Sequence, residues 1–136
     1  MNRTLVAAML ACTVLAGCGR QSQQQAPARP IQVRGEDQDR LHQLDALNLA
    51  IGLKRAIFDS GYACKRITDA GFIGMYQNLD MWMAHCEYEH GSPRDWAIFA
   101  GPDGSAQVRD CKDVPGSGLP ACKIQQRPKG SFNSAK

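Results

Sequence analysis

LHQLDALNLAIGLKRAIFDS, residues 41–60, is the stretch on which the fold class turns. Leu44, Leu47, Ile51 and Phe58 fall on one stripe at helical spacing, while Asp45, Asn48, Arg55 and Asp59 group on the opposite side. The pattern predicts one amphipathic helix from Leu41 to Ser60. Glu36, Asp37 and Asp39 precede it, where negative charge suits a helix amino terminus; Lys54 and Arg55 sit towards its far end, and Gly61 supplies the stop. Leu49, Leu53 and Ile57 widen the apolar arc, so either a sheet wraps the helix or part of it meets a partner; packing against the domain's own core is the simpler reading.

Downstream the pattern changes to short runs between turn signals. Cys64 to Thr68, Met81 to Glu89, Asp95 to Ala100 and Ala106 to Cys111 read as strands, the later ones separated by His90-Gly91-Ser92-Pro93 and Gly101-Pro102-Asp103-Gly104. Consecutive strands with short connections imply an antiparallel meander. The expected fold is therefore α+β, with one amphipathic helix packed on a small antiparallel β-meander of about four strands.

Upstream, Met1-Asn2-Arg3-Thr4 carries one positive charge and leads into Leu5 to Leu15, which carries none. That is the n-region and h-region of an export signal, and the run is too short for a permanent span of about 20 apolar residues. Leu15-Ala16-Gly17-Cys18 resembles the lipobox of bacterial lipoproteins, in which small side chains admit an extended backbone to a membrane peptidase and a thiol accepts the diacylglyceryl group. The resemblance covers the leader alone. It implies cleavage before Cys18 and a triacylated, palmitate-bearing Cys18 held firmly in a membrane. Gly19, in place of the aspartate that commonly retains such proteins in the inner membrane, implies the outer membrane, facing the periplasm.

The organisation that follows is a signal peptide over 1–17, the lipidated Cys18 and a flexible tether over 18–39, a single α+β domain over 40–124 and a disordered tail over 125–136. The tether is polar, with Gln23-Gln24-Gln25, Pro27 and Pro30, and the tail has the same character. Loss of Arg3 with the leader leaves 15 basic against 13 acidic residues in the mature chain, a balance that does not suggest nucleic acid as a partner.

So small a domain needs stapling. Cys12 leaves with the leader and Cys18 takes the lipid, so Cys64, Cys86, Cys111 and Cys122 remain for disulfides in an oxidising compartment. Cys86 and Cys111 would lie on the first and third strands of the meander, about 9.5 Å apart, beyond the roughly 7 Å limit for bridged alpha carbons. If the Cys64 strand pairs with the Met81 strand through a loop centred near Met75, position 64 falls opposite 86. The expected bridges are Cys64–Cys86 and Cys111–Cys122. No Cys-x-x-Cys occurs, which disfavours zinc and thiol redox chemistry.

Two candidate sites remain. Met81, Met83 and His85 share one face of a strand, and two thioethers with an imidazole suit Cu(I). With Trp82 they resemble the methionine, histidine and tryptophan set of periplasmic copper and silver chaperones, although those are small barrels without the helix. The alternative is that Trp82, Ala84 and Cys86 face the helix while the methionines cover the other sheet face. The second candidate is the apolar loop from Phe72 to Leu79, whose Phe72, Ile73, Met75 and Tyr76 would form an interaction patch or close the end of the core.

No catalytic set can be assembled. His42, His85 and His90 have no nucleophile motif around them, and Gly116-Ser117-Gly118 lacks a strand-then-helix context. A lysozyme inhibitor is a minor alternative, since the characteristic carboxyl-terminal motif is missing. The expected function is a non-catalytic binding or interaction module without a cofactor, anchored through Cys18 beside an envelope protein partner, with a soft-metal binder as the alternative.

Overall fold

The computed structural model describes residues 33–130 and Phe132. Two helices, α1 (Glu36–Gln43) and α2 (Ala46–Asp59), precede four strands, β1 (Arg66–Tyr76), β2 (Leu79–Glu87), β3 (Arg94–Ala100) and β4 (Ala106–Asp110), and a short 3-10 turn, Cys111–Asp113. The strands form one antiparallel sheet in the order β1-β2-β3-β4. The α+β class and the meander stand as expected.

The single helix does not. Leu44 is extended, and the Asp45 carboxylate accepts a hydrogen bond from the Asn48 amide at 2.8 Å, so a new helix starts where the first would have continued. The packing face also differs from the expected stripe. Ala46, Leu49, Leu53 and Ile57 are buried against the sheet, whereas Leu47, Ile51 and Phe58 are 70, 59 and 75 % exposed. The half-buried Ala50 and Ala56 flank the buried row, and their small side chains let α2 lie close over Trp82 and Trp96.

The sheet has two covered faces. Ile67, Ala70, Trp82, Ala84, Cys86, Trp96 and Ile98 pack with α2 in the main core. On the reverse, Ile73, Met81, Ala97 and Phe99 pack under Val114 and Leu119, carried on the loop that Cys111–Cys122 closes. Both expected disulfides are present, with alpha carbons 5.5 Å apart for Cys64–Cys86 and 5.8 Å for Cys111–Cys122. Each stabilises the domain by roughly 3 kcal/mol on a chain-entropy account. The register behind the first differs from expectation: Ile67 lies opposite Cys86, and Cys64 reaches it from the segment before β1.

The expected loop from Phe72 to Leu79 is a β-hairpin. β1 runs through two irregularities of register, at Ile67/Asp69 and Phe72/Gly74, to Tyr76 opposite Leu79, and Gln77 takes a positive φ of 55° in the two-residue turn.

Both domain boundaries move outwards. α1 begins inside the stretch expected to be tether, and residues 125–130 are not a loose tail. The Phe72 amide donates to the Gln126 carbonyl and the Gln125 amide to the Phe72 carbonyl, each at 2.8 Å, so this segment caps the outer edge of β1. Further on, the Ala46 amide donates to the Lys129 carbonyl at 2.8 Å and Arg127 pairs with Asp69. The polar composition is used through the backbone, which pairs whatever the side chains are. Among the described residues no helix is long and apolar enough to cross a membrane. The leader, Cys18 and the segment up to residue 32 lie outside the described residues.

Candidate functional site

α1 is a polar helix, and polar contacts fix it to the sheet. The buried Gln38 side chain donates to the Asn78 carbonyl at 2.9 Å and the Ala100 carbonyl at 3.1 Å, and accepts from the Gly35 amide at 3.0 Å. Asp80, at the start of β2, is 0 % exposed. Its carboxylate receives the Arg34 guanidinium as a fork, at 3.2 and 3.0 Å, and the His42 Nε2 at 2.9 Å. A carboxylate only accepts, so Nε2 carries the hydrogen of this bond. The His42 ring lies 4.7 Å from Phe72 and 4.8 Å from Trp82, which fixes its orientation. Arg34 also bonds Asp39 at 2.9 Å, and these two acids, Asp39 first, hold the guanidinium above its ordinary pKa. Together these contacts latch α1 over the end of β2.

Latched there, α1 forms one wall of a groove of about 520 Å³, with α2 as the second wall and the β3–β4 corner as the third. Leu53, Ile98 and Ala100 make an apolar floor, and Arg40 with Asp37 and Arg55 with Asp59 stand at the rim. Glycine is required where α1 meets the corner. A Cβ on Gly35 would lie 1.8 Å from the Pro102 carbonyl oxygen, and Gly104 has φ +77° with the Asp37 carboxylate against it. Among the described residues β4 pairs only with β3, so Ala106 and its neighbours leave backbone groups of the sheet edge beside the groove.

The two hydroxyls in the lining are already engaged. Ser60 donates to the Ala56 carbonyl at 2.8 Å and Ser105 to the Asp103 carboxylate at 2.6 Å, and among the described residues no imidazole lines the groove. That Ser105 contact also lowers the Asp103 pKa. An apolar floor with charged ends suits an extended or amphiphilic ligand held by burial.

The sequence candidates fare differently. Met81, Met83 and His85 do share one face, and Trp82, Ala84 and Cys86 do face the helices. Met81 is fully buried in the reverse core and Met83 packs beside it, while His85 Nδ1 bonds Asp95 Oδ1 at 2.5 Å. Among the described residues no group of three His, Cys, Asp or Glu is placed to hold a metal ion. The patch of Phe72, Ile73, Met75 and Tyr76 is not one surface. Phe72 packs against His42 and Trp82, Ile73 is buried on the reverse face, Tyr76 is half-buried, and only Met75 is exposed.

Sequence reasoning missed the latch and the groove. Arg34, His42 and Asp80 are separated by up to 46 positions and converge only once β2 lies under α1. Comparison with known proteins finds no matching family model, no matching curated protein and no matching solved structure, so the site is read from its own geometry.

Proposed function

We propose that the chain is a lipid-anchored, non-catalytic binding module of the cell envelope, held at the outer membrane facing the periplasm, that takes an extended segment of an envelope partner into the groove beside β4. The observation that carries the binding is the groove itself, whose floor is apolar and whose hydroxyls are already bonded within the domain. The anchor rests on Leu15-Ala16-Gly17-Cys18. The open edge of β4 offers main-chain pairing to an extended segment, and the floor offers pockets for its alternate side chains. A Cu(I) site at Met81, Met83 and His85 has less support, because Met81 would have to leave the reverse core to reach a metal.

Photocrosslinking in intact cells tests the reading. A photoreactive residue placed at Arg55 or Ala106 of the full chain should give a discrete adduct, and Ala56→Trp, which fills the groove, should abolish it. Adducts equally abundant from a remote position such as Glu89, and indifferent to Ala56→Trp, would refute the groove as the binding surface.

A further inference from the structure

The outer face of α2 carries an apolar stripe that the groove does not use. Leu47, Ile51 and Phe58 recur at helical spacing and are more than half exposed, while the inner row of the same helix supplies the core. Beside Leu47 and Ile51 the apolar surface continues into a shallow groove of about 190 Å³ with Ile67 and Phe132 in its walls. Among the described residues the charged ones of that groove are Lys54, Lys65 and Arg66, with no acid in its lining. Lys54 donates to the Lys65 carbonyl at 2.7 Å, and Lys65 and Arg66 pair with Glu89 and Glu87 outside the lining.

We propose that this face docks on an anionic phospholipid bilayer, laying α2 along the membrane to which the chain is tethered. The proposal rests on the lipidated Cys18 of the reading above. Fifteen residue steps separate Cys18 from Val33, and at 3.3–3.6 Å each they span at most about 54 Å, so the domain stays within reach of the membrane surface. An amphipathic helix binds an interface through its buried apolar area together with the attraction of basic residues to anionic headgroups, and this face has both. A second copy fits less well. A stable dimer buries about 800 Å² and 20–30 residues on each partner, whereas this stripe presents three large side chains. A tethered helix has no such requirement, since the anchor already holds it at the surface.

The test uses the full chain, expressed in a bacterium that processes lipoproteins and reconstituted in vesicles of phosphatidylcholine with or without phosphatidylglycerol. Phe58→Trp reports contact with the acyl region through quenching by brominated lipid chains, and the parent chain, whose Trp82 and Trp96 are each 2 % exposed, gives the background. The mass of the amino-terminal peptide is read first. On acylated protein, Phe58→Trp should lose emission beyond the parent, more so with phosphatidylglycerol, and Leu47→Ser with Ile51→Ser, or Lys54→Gln with Lys65→Gln, should remove that loss. Quenching no greater than in the parent overturns the proposal. A blue shift that grows with protein concentration in detergent assigns the stripe to a second copy and also overturns it. An unacylated Cys18 refutes the anchor separately; vesicles added to that chain then refute docking if no quenching follows and retain it if quenching does.

Discussion

Replacing Asp80 with alanine should release α1 while leaving the sheet folded. The substitution removes the acceptor shared by Arg34 and His42, and breaking a buried ion pair costs about 3–5 kcal/mol when the surviving charge stays buried. Here the surviving side chains are 35 and 24 % exposed, so both regain water and the cost falls to about 2–3 kcal/mol. The loss concentrates in α1, whose remaining attachments include the Gln38 bonds, the His42 ring against Phe72 and Trp82, and the partly buried Leu41 and Leu44. At 1.4 kcal/mol per tenfold, the α1 amides should exchange hydrogen roughly 30- to 140-fold faster. Amides of β2 and β3 should keep their parent rates. Asp80→Asn, which keeps one acceptor, should fall between the two. Exchange of α1 in Asp80→Ala within threefold of the parent would refute the latch, and equal acceleration across the sheet would show that Asp80 supports the whole domain.

Three further outcomes follow from the same structure. Leu53→Ala should lower stability in urea by about 2–5 kcal/mol and Phe58→Ala by no more than about 0.5 kcal/mol, since the first empties a core position and the second trims an exposed one; the reverse order would restore the stripe expected from the sequence. Gly35→Ala should cost about 1–3 kcal/mol in the same assay, because its Cβ meets the Pro102 carbonyl and the backbone must shift; a neutral result would place α1 away from the β3–β4 corner. The hydrogen bond from Arg66 holds the Glu87 carboxyl below its ordinary value of 4.5, so its support is fully present above that value and lost as pH falls through the depressed folded value. Glu87→Gln should therefore flatten the acid limb of the stability curve below about pH 4.5, and an unchanged limb would contradict the pairing.

What the sequence disclosed follows from which interactions are local. The meander strands were legible because short runs between turn signals such as Gly101-Pro102-Asp103-Gly104 mark them within a few residues, and the disulfide pairs because strand spacing forbids Cys86 with Cys111. The far half of β1 was hidden: Gly71 and Gly74 look like loop residues, and the turn uses Gln77 at φ 55° where a glycine would have announced it. α2 carries two apolar rows, and its phase is fixed only by what packs on it. Trp82 and Trp96 select the row flanked by alanines. Residues 125–130 escaped notice because their order comes from backbone pairing at the edge of β1, which composition does not encode. Asp80 stands where a strand begins, a place where aspartate commonly bonds locally, and its partners lie 38 and 46 positions away.

The proposed placement depends first on the anchor, because a module placed by its lipid must carry one. Intact mass spectrometry of the protein extracted from membranes without reduction reads this directly. The account predicts a chain that begins at Cys18, heavier than its sequence by a diacylglyceryl group and an amide-linked acyl chain, and lighter by four hydrogens for the bridges Cys64–Cys86 and Cys111–Cys122. A chain that retains residues 1–17, or one that begins elsewhere with an unmodified Cys18 thiol, would contradict it.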